Sequence, residues 1–96
     1  MSARQLLTSE AIETLQLQLS DWKITATSME KNFKFKDFSQ AWAFMNRVAL
    51  LAEKLDHHPN WSNVYNQVKV ELSTHDRGGI TALDAQMATA IDAFQS

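Results

Sequence analysis

All three histidines of the chain, His57, His58 and His75, fall in one short stretch. Imidazole changes charge near neutral pH, so it can both give and take protons. Three neutral imidazoles can also ligate zinc, and three histidines can equally be surface or satisfied core residues. The doublet counts against a metal. Pro59 keeps His58 out of the helical region, and adjacent extended side chains point to opposite sides. Both reach one ion only through a backbone contortion. A metal-free acid/base pocket fits these residue types better. Other groups could serve it. Asp84 could orient a histidine or cap a helix. Glu53 lies four residues before His57, within reach if a helix continues, and is otherwise a solvated charge. Trp61 could wall a flat ligand or fill the core. Gly78-Gly79 and the following helix start could offer backbone N–H groups to a polar ligand, or form only a sharp turn. The sequence has no Walker loop, dinucleotide-binding glycine pattern or serine nucleophile elbow. Without cysteine it has no disulfide, thiolate zinc site or thiol nucleophile.

The elements that must position these groups are legible from periodicity. Ser9 to Leu19 carries Ala11, Ile12, Leu15 and Leu19 on one helical face, with Thr8 or Ser9 as N-cap. Trp22 to Met29 alternates, as do Phe33 to Lys36, which predicts two antiparallel strands joined around Met29-Glu30-Lys31-Asn32. Asp37 with Gln40 forms a capping-box pattern before a helix running to Leu55. Its stripe of Phe38, Ala41, Trp42, Met45, Val48, Ala49, Ala52 and Leu55 is widened by Phe44 and Leu51 to roughly half the circumference. Leu50 lies among its polar positions. Ser62 to Tyr65 and Val68 to Thr74 read as a second hairpin turning at Asn66-Gln67. That register pairs Asn60 with Ser73 and sets His58 level with His75, bringing the doublet and His75 to one edge of the sheet. Gly78-Gly79 ends the strand, and Thr81 with Asp84 opens a last helix carrying Leu83, Met87, Ala90 and Phe94. The order α-β-β-α-β-β-α predicts an α+β fold: a four-stranded antiparallel sheet with helices packed on one face.

Ninety-six residues, 45% hydrophobic and 21% charged, suit a single globular domain spanning 1–96. A net charge of −2 argues against direct nucleic-acid binding, which needs a basic face. No apolar run approaches the roughly 20 residues of a membrane span, and the N-terminus lacks a secretory pattern. The expectation is a soluble, cytoplasmic protein. The wide apolar arc of the long helix, in so small a chain, points to a homo-oligomer, a dimer or tetramer.

Taken together, Glu53-Lys54-Leu55-Asp56-His57-His58-Pro59, Val64-Tyr65-Asn66-Gln67-Val68 and Leu72-Ser73-Thr74-His75-Asp76-Arg77-Gly78-Gly79-Ile80-Thr81, with Asp84, resemble the pterin-4a-carbinolamine dehydratase family. The resemblance implies dehydration of 4a-hydroxytetrahydropterin to quinonoid dihydropterin, the recycling step after an aromatic amino acid hydroxylase turns over. The pterin is the substrate, and no cofactor or metal is implied. By similarity His57, His58 and His75 line the pocket, with His57 and His75 exchanging protons, His58 binding and Asp84 supporting His75. Thr74, His75, Asp76 and Arg77 would meet the pterin's hydrogen-bonding edge, and Pro59 and Trp61 would flank it. Some members of the family also act as helix-mediated dimerisation partners of a transcription factor, so a coactivator-like binding module is the rival expectation.

Overall fold

The structure, a computed structural model, describes residues 5–95. Thr8 starts helix α1 (Ser9–Gln18) by accepting the Ala11 N–H on its hydroxyl, and Asp37 starts α2 (Phe38–Leu55) by accepting the Gln40 N–H on its carboxylate. The strands are β1 (Lys23–Ile24), β2 (Met29–Lys34), β3 (Asn60–Val64) and β4 (Gln67–Leu72), all antiparallel, in the order β1-β2-β4-β3. A 3₁₀ turn at His75–Arg77 leads into α3 (Ala82–Phe94). This is the expected α+β order. Met29 and Phe33 of β2 and Val68, Val70 and Leu72 of β4 are buried on one sheet face. They pack with Phe44, Val48, Met87 and Ile91 of the helices. The opposite face carries Asn32, Lys34, Ser62 and Lys69, all exposed, as period-two alternation requires. Among the described residues no helix is long and apolar enough to cross a membrane.

The first hairpin turns earlier than its pattern suggests. Met29 to Asn32 is strand, and the turn is Thr25 to Ser28. There the Thr25 hydroxyl accepts the N–H groups of Thr27 and Ser28, a hydroxyl-built turn. The polar run Glu30-Lys31-Asn32 misled because Lys31 occupies an inward position. Its Nζ lies over the Phe33 ring, 4.7 Å from the centroid, and reaches Asp92 at 2.9 Å. Trp22 precedes the strand, buried, donating from Nε1 to Asp92.

The second hairpin is shifted. Val64 pairs with Gln67 and Asn60 with Glu71, so Tyr65-Asn66 is the turn, with Tyr65 at φ 51°. Asn66 is tied to the end of β2: it accepts the Phe35 N–H on its carbonyl and donates from Nδ2 to the Phe35 carbonyl. Asn63 Nδ2 braces the turn on the Tyr65 and Gln67 carbonyls. The observed register, extended, sets His58 opposite Ser73 and not His75. The slip is two residues, so every side chain keeps its face.

Helix α2 also splits its apolar arc. Ala41, Phe44, Val48 and Ala52 are buried, whereas Phe38, Trp42 and Leu50 are exposed, with the rings of Phe38 and Trp42 stacked at 6.4 Å.

Candidate functional site

The chain reverses sharply where α2 ends. Asp56 adopts the left-handed conformation (φ 50°, ψ 45°). Its N–H bonds the Glu53 carbonyl, and the His57 N–H bonds the Ala52 carbonyl at 3.0 Å. This pair of bonds closes the helix and turns His57 inward while His58 faces out. His57 is buried. Its Nε2 lies 2.5 Å from Asp84 Oδ1. His58 is exposed and pairs with Glu53 Oε2, also at 2.5 Å.

Asp84 stands in the first turn of α3 and is wholly buried. Burying a carboxylate is costly unless donors surround it, and here they do. Its Oδ2 accepts the Thr81 N–H at 2.9 Å and the Thr74 hydroxyl at 2.8 Å. Thr74 Oγ1 also lies 2.9 Å from Thr81 Oγ1. An ionised Asp84 therefore accepts from His57 as well, which puts the proton of a neutral His57 on Nε2.

His75 comes to the site by a local turn rather than by strand register. Thr74 bridges Gly79, donating its N–H to the Gly79 carbonyl at 2.8 Å, and the 3₁₀ turn between them exposes His75. The glycines make that turn possible. Gly78 sits at φ 73°, and a Cβ on Gly79 would meet the Ala26 carbonyl oxygen at 2.8 Å. The Gly78 N–H is bonded to the His75 carbonyl and the Thr81 N–H to Asp84.

An open cleft of about 360 Å³ results, lined by Asp56, His57, His58, Ser73, Thr74, His75 and Asp76. All three histidines face it. Asp84 lies behind it, against His57 and not against His75. Glu53 reaches His58 instead of His57. Trp61 lines a separate hollow over the sheet with Asn60, Ser62, Lys69 and Glu71. Arg77 lines a neighbouring cleft with Gln5, Leu6 and Asp76, and Pro59 follows His58 into β3, half-buried. Among the described residues no three His, Cys, Asp or Glu side chains converge so as to hold a metal ion. The arrangement offers instead imidazoles of different environment around one space, one backed by a carboxylate. Sequence reasoning gave Thr81 only a capping role and passed over Asp56 and Ser73. The signal for Thr81 was the Thr81–Asp84 spacing itself, which brings an N-cap threonine to the acid it caps with.

The model of the family described as pterin 4 alpha carbinolamine dehydratase matches residues 5–94. A protein of Synechococcus sp. (strain WH7803) named for that family is 57% identical over 89 residues, covering 93% of this chain and 96% of its own. One of Mesorhizobium japonicum is 48% identical over 93 residues, 95% of each. The crystal structure of a transcriptional coactivator/pterin dehydratase from Brucella melitensis superposes with a TM-score of 0.91 at 42% identity, covering 96% of this chain and all of that one. A pterin dehydratase-like RuBisCO assembly factor of the alpha-carboxysome shares the fold alone, with a TM-score of 0.65 at 24% identity over 78% of this chain and 87% of its own. With nearly its whole length matched, this chain belongs to the pterin-4-alpha-carbinolamine dehydratase family.

Proposed function

We propose that the protein dehydrates 4a-hydroxytetrahydropterin to quinonoid dihydropterin in the cytoplasm, regenerating a pterin cofactor after hydroxylation, by histidine acid/base catalysis without metal or organic cofactor. The observation that carries this reading is the single cleft faced by His57, His58 and His75, with His57 braced on buried Asp84. In the reaction the C4a–O bond breaks and a C=N bond forms. The leaving oxygen gains a proton and departs as water, and the ring nitrogen loses one. One base and one acid suffice. His57 suits the base, because a carboxylate behind an imidazole stabilises the imidazolium it becomes. His75, exposed across the cleft, suits the acid. His58 orients the substrate, with Asp76 bordering it. The test is the dehydration of freshly generated substrate followed by ultraviolet absorbance, using chelator-treated protein. Fast turnover, lost in a His57→Ala, His75→Ala double variant, is expected. A rate no faster than the spontaneous one from folded protein overturns the reading, and a raised KM with unchanged kcat in His75→Ala overturns its acid role.

A second reading has its own observation. Phe38, Trp42 and Leu50 leave large apolar surface exposed on α2, which supports helix-mediated association, first with copies of itself and, on the coactivator reading, with a protein partner. Leu50→Asp is expected to lower the mass seen by light scattering while dehydration survives, since Leu50 lies away from the cleft. An unchanged mass overturns assembly through this helix.

A further inference from the structure

The hydroxyls of Thr74 and Thr81 have no access to solvent: the two residues are 1% and 0% exposed. Their protons must therefore go to protein acceptors. Each hydroxyl has one proton to give. Thr74 Oγ1 lies 2.8 Å from Asp84 Oδ2 and 2.9 Å from Thr81 Oγ1. An ionised Asp84 has nothing to donate, so the Thr74 proton points to Asp84. The Thr81 proton then points to Thr74. The donors run one way, from Thr81 to Thr74 to Asp84, and the Thr81 N–H joins at Oδ2. Only Oδ1 remains for His57, and it can only accept. The Thr74 hydroxyl is thus spent inside the protein and is not available to a ligand, although its residue borders the cleft.

We propose that Thr74, fed by Thr81, is a positioning residue: through Asp84 it holds His57 as the Nε2–H tautomer, leaving the Nδ1 lone pair as the base that the cleft requires. The catalytic part rests on the dehydratase reading; the tautomer does not, and is readable without substrate. Removing the Thr74 hydroxyl withdraws one of the donors that keep Asp84 an acceptor, with almost no change of shape if valine replaces it. With that donor gone Asp84 can take up a proton and donate it from Oδ1 to Nε2, so the imidazole populates the Nδ1–H tautomer as well, and only the Nε2–H form has its base at Nδ1.

The test uses ¹⁵N-histidine-labelled protein, where the imidazole nitrogen couplings of His57 report which nitrogen carries the proton, at a pH where the ring is neutral. The full chain is compared as wild type, Thr74→Val and Thr74→Ser, with kcat and KM measured on the same samples. Wild type and Thr74→Ser are expected to show Nε2–H alone, and Thr74→Val a mixture. In Thr74→Val, kcat is expected to fall about tenfold, a part of the roughly 10²–10⁴-fold that a positioned base supplies, with KM held within about twofold. Thr74→Ser should restore kcat. An Nδ1–H signal in the wild type overturns the proposal even if no variant folds. So does a Thr74→Val protein with a pure Nε2–H signal, or one whose KM rises at constant kcat, which would make Thr74 a substrate contact. A tautomer that follows the Thr74 hydroxyl in a protein with no dehydration above the spontaneous rate upholds the relay and sinks the dehydratase reading instead.

Discussion

Two histidine–carboxylate pairs sit next to each other at the end of α2, each with 2.5 Å between nitrogen and oxygen, and solvent makes them different objects. The side chains of His57 and Asp84 are 7% and 0% exposed; those of His58 and Glu53 are 56% and 77% exposed. Water screens the outer pair, and two mobile side chains lose entropy to form it. The inner pair meets neither cost, but its carboxylate has lost water and depends on Thr74, Thr81 and His57 for every bond it makes. The lesson is that the distance between partners says little of their worth. What matters is how many other groups depend on the same atom. The inner pair ties α3, the end of β4 and the end of α2 to one carboxylate, and the outer pair ties one residue to its own helix.

The largest effect expected follows from deleting that carboxylate. Asp84→Ala leaves the Thr81 N–H, His57 Nε2 and one hydroxyl proton of the Thr74–Thr81 pair buried without a partner, each unsatisfied group costing about 1–3 kcal/mol. A loss of about 3–5 kcal/mol is expected, the range for breaking a buried pair from one side, read from the urea midpoint at constant slope. Against a total of roughly 5–15 kcal/mol for a domain, that brings the protein near unfolding. Asp84→Asn sharpens the point. Two donors converge on Oδ2, so the amide oxygen is drawn there and the NH₂ is left facing His57 Nε2. The fold should suffer less than in Asp84→Ala, while kcat falls by about 10²-fold or more as His57 loses its acceptor. Equal stability of Asp84→Ala and wild type would remove the distinction between the two pairs.

Periodicity carries far in this chain and stops at identifiable places. The capped helices and the alternating β4 were readable because one repeated physical demand, burial on one face, is written into many residues at once. The first hairpin was misplaced by Lys31, where one long side chain reconciles an inward position with a charge by reaching Asp92. The second was misplaced by two residues, since Tyr65 rather than Asn66 takes the positive φ and Asn66 is committed to Phe35. Convergence of the three histidines was legible, although by the wrong route: the 3₁₀ turn around Gly78 and Gly79 delivers His75, and no strand register does. What spacing could not give was which histidine Asp84 faces. That depends on how α3 docks against the end of α2, a packing relation between residues 27 apart. The left-handed Asp56 that turns His57 inward was equally hidden, because aspartate adopts that conformation without announcing it.

The smallest effect expected comes from the outer pair, and it is the sharper test of the contrast because it predicts near silence. Glu53→Gln keeps the size of the side chain and removes its charge. An exposed ion pair contributes about 0.2–1 kcal/mol, so the urea midpoint should scarcely move and dehydration should stay within about twofold of wild type. A double-variant cycle of Glu53→Gln with His58→Ala isolates the coupling from the loss of either residue alone, and raising the salt concentration should shrink it further, as screening requires. A coupling of several kcal/mol that persists at high salt would mean that His58 and Glu53 are as tightly held as His57 and Asp84. The outer pair would then have to be counted as a second fixed element of the cleft wall, and orientation of substrate by His58 would be a rigid contact instead of an adaptable one.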